Sequence, residues 1–146
     1  MHAISDIGDV SHVVQLAVAP VFLLVAIASM LALFSNRLSR IIDRSRVLTN
    51  ILETSPPNKV DRIHAELVIL TRRSKYISLS ITLCTITALL VCAVVAILFL
   101  GNFFQFGIAI LIALLFITAM ILIVLALFIY LREILIATAN LRIGPH

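Results

Sequence analysis

The sequence predicts an all-α membrane protein, with three transmembrane helices and a cytoplasmic antiparallel helical hairpin extending spans one and two. Three observations predict it. Of the 146 residues, 62% are hydrophobic and 12% charged, and the mean hydropathy is +1.21. Soluble domains are about half apolar with about a quarter charged, so this balance suits lipid as solvent. Three apolar runs, residues 13–34, 77–100 and 103–131, contain no Asp, Glu, Lys, Arg or His. Each supplies the roughly 20 residues that cross a hydrocarbon core. Finally, all eleven Lys and Arg fall at or after Arg37, beside the runs and never within them.

The N-terminal segment, Met1 to His12, carries Asp6 and Asp9 and no Lys or Arg. A secretory signal starts with a basic segment, so the first span is expected to be retained. Pro20 lies inside this span, where it removes a backbone bond and is a candidate bend or hinge. Between Ser35 and Tyr76 stand nine basic residues, and Arg132 and Arg142 follow the third span, whereas the link Gly101-Asn102 has none. The positive-inside rule then places the N-terminus outside and the C-terminus in the cytoplasm, with residues 36–76 inside and a tight outer turn at Gly101-Asn102. The whole chain reads as one membrane domain.

Residues 36–76 have a pattern of their own. Leu38, Ile41, Ser45, Leu48 and Leu52 alternate spacings of three and four, as do Val60, Ile63, Leu67, Leu70, Ser74 and Ile77. Each series makes one apolar seam on a helix. Ser55-Pro56-Pro57 ends the first helix near Glu53. Asn58 followed by Asp61 reads as the N-cap and acidic N3 position of the next. Nothing breaks either seam from its neighbouring span, so spans one and two continue into a hairpin about 22 Å long at 1.5 Å per residue. Leu38 is expected near Ser74, and Ser45 near Leu67.

Arg37, Arg40 and Arg44 share a face of the first hairpin helix, with Asp43 and Arg46 beside it. They are candidates for contact with anionic lipid heads or an acidic partner, and for pairing with Glu66 or Glu133. Glu133 is expected to meet Arg37 or Arg73 at the membrane boundary. The net charge of +4 belongs to one membrane face, and nucleic-acid binding is not expected.

Within span two, Ser80, Cys84, Ala88, Cys92 and Ala96 place a small residue at every fourth position. Small residues let helices approach closely in lipid, so the stripe is expected to face another helix, with shorter versions at Ala28 and Ala32 and at Ala109 and Ala113. Cys84 and Cys92 lie roughly 12 Å apart along a helix, too far to bridge. Ser78, Thr82, Thr85 and Thr87 bring hydroxyls to the same span. They bond their own helix one turn back or a neighbour, and Ser78, Thr82 and Thr85 are candidate pore-lining positions.

No span contains Asp, Glu, Lys, Arg or His, which argues against ion-coupled transport and voltage sensing. No phosphate loop, CxxC, HExxH or GxSxG occurs, so neither cofactor nor catalytic residue is expected. His2, Asp6, Asp9 and His12 share helical spacing, but a weakly polar N-terminal segment explains them without a metal. Several residue groups resemble a known bacterial family: Pro20, then Asn36-Arg37 with Arg40, Asp43-Arg44-Ser45-Arg46 and Leu48, and Arg132-Glu133-Ile134 with Ala137 and Leu141-Arg142. That family, the domain of unknown function twenty-seven twenty-one, consists of small multi-helix membrane proteins. The resemblance implies a bacterial inner membrane and no assigned activity. The expected function is a self-associating scaffold or interaction protein in the bilayer, without enzymatic activity. The alternative is a homo-oligomeric channel for ions or small solutes.

Overall fold

The structure, a computed structural model, describes residues 2–54, 56–104 and 107–141. It contains three helices and, among those residues, no strand: α1 (His2–Thr54), α2 (Pro57–Phe104) and α3 (Ala109–Leu141). Each holds an 18-residue window long and apolar enough to cross a membrane, with mean hydropathies of 2.6, 2.9 and 3.3. Only 17, 22 and 17% of those windows is buried within the chain, so most of this apolar surface requires lipid or another protein. These are the properties of a multi-pass membrane protein.

Chain contacts define two compact units. One comprises Met1–Met30 with Leu83–Val124, the other Leu31–Thr82 with Leu125–His146. In the first unit, α1 buries Val13, Ala17, Pro20 and Ile27, α2 buries Cys84, Thr87, Val91 and Val94, and α3 buries Ala119 and Ile123. α1 passes through Pro20 without a break. In the second unit the buried side chains are Phe34, Ile41 and Leu48 on α1, Ile63, Leu70, Ile77 and Ser80 on α2, and Ala126 and Glu133 on α3.

Along α1 one register runs throughout: Val13, Pro20, Ile27, Phe34, Ile41 and Leu48 are all buried and all seven residues apart. Ile63, Leu70, Ile77, Cys84 and Val91 do the same on α2. A seven-residue repeat keeps one seam of a helix against its partners. In the second unit α1 ends at Thr54 and α2 starts at Pro57, and Arg44 pairs with Glu66, so these segments pack antiparallel.

Two boundaries differ from the sequence reading. The first turn of α2 opens at Pro57, with the Lys59 amide donating to the Pro56 carbonyl at 3.0 Å, so Asn58 lies inside the helix and is not its cap. Proline suits this position because the first N–H of a helix would be unpaired anyway. At the far end, α2 continues through Gly101 to Phe104, where the sequence suggested a turn at Gly101-Asn102. Gly101 serves close approach: a β-carbon there would collide with the Ile108 side chain.

Candidate functional site

The charged site lies in the second unit and is built from three heptad rows. Arg37 and Arg44 lie one heptad apart on α1, Glu66 and Arg73 one heptad apart on α2, and Glu133 follows Ala119 and Ala126 at the same interval on α3. Ala119 and Ala126 are fully buried, so the row places the Glu133 carboxylate in a core position, where it is 0% exposed. A carboxylate tolerates such a place only when paired.

Two arginines pair with it. Arg37 Nη1 donates to Glu133 Oε2 at 3.2 Å, and Arg73 Nε donates to Oε1 at 2.9 Å, with Arg73 Nη2 also 2.9 Å from Oε1 in the ion pair. Both alternatives considered for Glu133 are therefore present together. The Arg37 guanidinium also lies 5.3 Å from the centre of the Tyr130 ring, within cation–π range. Tyr130 packs against buried Phe34 with ring centroids 4.3 Å apart. This aromatic pair stands where the apolar runs give way to charge, the depth at which tyrosine settles in membranes.

One heptad further along α1, Arg44 donates to Glu66 Oε1 through Nε at 3.2 Å and Nη2 at 2.9 Å. This pair is largely exposed and contributes little. Arg40 and Arg46 are exposed, and no ion pair involves either among the described residues.

Beside the Arg37–Glu133–Arg73 cluster is a cavity of about 300 Å³. Its polar lining is Arg37, Arg40, Arg73 and Thr138, and Ile41, Ile134 and Ala137 supply the apolar side. Among the described residues no carboxylate lines it. The Thr138 hydroxyl donates back to the carbonyls of Ile134 and Leu135, both at 3.1 Å.

The small-residue stripe of α2 divides. Ser80 and Cys84 are buried, Ala88 is half-buried, and Cys92 and Ala96 are exposed. A step of four residues turns a helix about 40° beyond one revolution, so the stripe drifts around the helix while the buried face continues at Thr87, Val91 and Val94. Ser78, Thr82 and Thr85 share the outward face with Cys92 and Ala96. Thr82 donates to the Ser78 carbonyl at 3.0 Å, and buried Thr87 to that of Leu83 at 2.8 Å, as expected for hydroxyls in an apolar span. Ala28, Ala32, Ala109 and Ala113 are exposed as well. The side chains of His2 and Asp6 and all of Arg142 lie outside the described residues, and so do the expectations placed on them. Among the described residues no group of His, Cys, Asp or Glu could hold a metal ion.

The profile of a family described as Protein of unknown function (DUF2721) matches residues 17–143, nearly the whole chain. The chain belongs to this family. In this DUF2721 protein, the matched region contains the Arg37–Glu133–Arg73 cluster and every lining residue of the adjoining cavity. No curated protein and no solved structure matches the chain.

Sequence reasoning named Glu133 and both arginines but did not see that one carboxylate holds two cations in a core position. The seven-residue interval Ala119, Ala126, Glu133 was the available signal.

Proposed function

We propose that this protein is a non-enzymatic, self-associating scaffold of the bacterial inner membrane, whose basic hairpin contacts anionic lipid or an acidic partner. In this reading the N-terminus is outside, and residues 36–76 and the C-terminus are cytoplasmic. The observation that carries it is the imbalance of charge in the second unit. Arg37, Arg40, Arg44, Arg46, Lys59, Arg62, Arg72, Arg73, Lys75 and Arg132 stand there against Asp43, Glu53, Asp61, Glu66 and Glu133. The first unit has no Lys or Arg. Such a surplus beside apolar spans attracts the negative leaflet at about 1 kcal/mol per basic residue near the surface.

Self-association is supported by the outward small residues, Cys92 and Ala96 on α2 and Ala28 and Ala32 on α1, which would allow close contact with a second copy. A channel is the second reading. It is favoured by the outward direction of Ser78, Thr82 and Thr85, which would line a pore only between copies.

The test uses the full chain in nanodiscs. Its mass gives the number of copies, and native mass spectrometry gives the anionic lipid retained. Replacing Arg37, Arg40 and Arg44 together by glutamine should lower that retention relative to zwitterionic lipid. Unchanged retention would remove the lipid part of the proposal, and a monomer would remove self-association. Proteoliposome flux that a T82L/T85L variant abolishes would replace the scaffold by the channel.

A further inference from the structure

We propose that the cavity lined by Arg37, Arg40, Arg73 and Thr138 is a phosphate site that seats the headgroup of an anionic phospholipid. This rests on the scaffold reading in that it needs lipid at the basic end, but it assigns one pocket and not a diffuse surface.

Hydrogen-bond capacity is the first argument. A guanidinium has five N–H donors. Arg37 donates only through Nη1 to Glu133, and Arg73 donates through Nε, with Nη2 in ion-pair contact. Arg40 lines the cavity with no ion pair among the described residues. Donors therefore remain on all three, while the carboxylate that might satisfy them is fully buried and already holds two. Guanidinium forks match phosphate oxygens, and a third cation beside two that share a single carboxylate is what a phosphate can use.

Charge is the second. Three arginines against Glu133 leave a local surplus near +2. A phosphomonoester carries about −1.5 to −2 at neutral pH, and a phosphodiester lipid carries one negative charge.

Size and setting decide the source. About 300 Å³ is at the lower end of small-ligand pockets and holds a phosphate with a short polar head. Ile41, Ile134 and Ala137 line the rest. On α3 the neighbouring Leu131 and Leu135 are 51% and 59% exposed, an outward apolar surface along which acyl chains can lie. Tyr130 marks the headgroup depth. Free phosphate would need only the arginines; a lipid uses the apolar flank too.

The experiment places the full chain in phosphatidylcholine nanodiscs containing a minor fraction of phosphatidic acid or phosphatidylglycerol, and counts retained anionic lipid by native mass spectrometry. Ala137→Leu fills the cavity and keeps every charge. Arg40→Gln removes one guanidinium and its charge from an exposed position, and Arg46→Gln removes an arginine outside the cavity. Wild type and Arg46→Gln should retain the anionic lipid, and Ala137→Leu and Arg40→Gln should each weaken retention by about tenfold, the loss of one charge-assisted bond. Thermal melting identifies an Ala137→Leu protein that has not folded, and Arg40→Gln against Arg46→Gln then decides. Equal retention by Arg40→Gln and wild type overturns the site. So does equal loss in Arg40→Gln and Arg46→Gln, which leaves the scaffold reading standing as diffuse attraction. Inorganic phosphate that displaces the lipid at millimolar concentration overturns the lipid assignment in favour of a soluble anion.

Discussion

Replacing Arg37 and Arg73 together by glutamine should destabilise this protein more than replacing Glu133. The reason is an asymmetry in burial. Glu133 is 0% exposed, whereas the side chains of Arg37 and Arg73 are 42% and 25% exposed. Without the carboxylate, both guanidiniums can turn toward water, and Glu133→Gln keeps one carbonyl acceptor for them. Its cost is then on the order of 1–2 kcal/mol, one or two charge-assisted hydrogen bonds less their rehydration. Without both guanidiniums the carboxylate stays in a core position between α-helices and must either remain charged without a counter-ion or take up a proton. Losing the partners of a buried charge costs about 3–5 kcal/mol. A third variant, with Arg37, Glu133 and Arg73 all replaced by leucine, removes charge and counter-charge together and should be more stable than the double arginine variant. The assay is thermal unfolding in detergent with a thiol-reactive dye, every variant carrying Cys92→Ser because Cys92 is exposed; the remaining Cys84 is buried and becomes reactive only as the helices separate. The expected order of midpoints is wild type, Glu133→Gln, then Arg37→Gln/Arg73→Gln, with the triple leucine variant above the last. A double arginine variant that melts at or above Glu133→Gln would refute the argument, since burial of the carboxylate would then carry no cost.

Other predictions follow from single contacts. Phe34→Ala removes a side chain 1% exposed that stacks on Tyr130, and should lower stability by about 3–5 kcal/mol in the same dye assay. Arg44→Gln breaks a pair exposed at both ends and should cost less than about 1 kcal/mol, so its melting curve should nearly overlay the wild type. In detergent, a small membrane-permeant maleimide should label the exposed Cys92 in a Cys84→Ser protein much faster than the buried Cys84 in a Cys92→Ser protein, as read by mass spectrometry. Equal labelling rates would mean that α2 is rotated about its axis relative to this description.

Much of the helical plan was legible because apolar runs, prolines and basic clusters each have a direct physical meaning. The seam Leu38, Ile41, Ser45, Leu48 stood out against charged neighbours, and the structure buries Ile41 and Leu48 on it. The same seven-residue register continues up α1 through Phe34, Ile27, Pro20 and Val13, but there most neighbours are apolar as well. Hydropathy cannot separate a lipid-facing Leu33 from a buried Phe34, so the inward face was hidden in the spans. Small size was a poor substitute as a marker. Ala119 and Ala126 are buried, whereas Ala109 and Ala113 are exposed, because contact in lipid depends on register before residue type. Gly101 misled for a different reason: glycine serves a turn or a close approach, and only the position of Ile108 distinguishes them. In the charged site, each pairing of Glu133 was foreseeable from its place at a span end. That both form at once depends on two cations from different helices converging, which spacing within one helix does not encode.

The bonds of Glu133 reach 60 residues back to Arg73 and 96 back to Arg37. During synthesis both cations therefore exist long before the anion that joins them. α1 and α2 can leave the ribosome and pair with each other before α3 is made. Arrival of α3 supplies the one carboxylate that both arginines share, so correct insertion of that helix is tied to residues made 60 and 96 positions earlier.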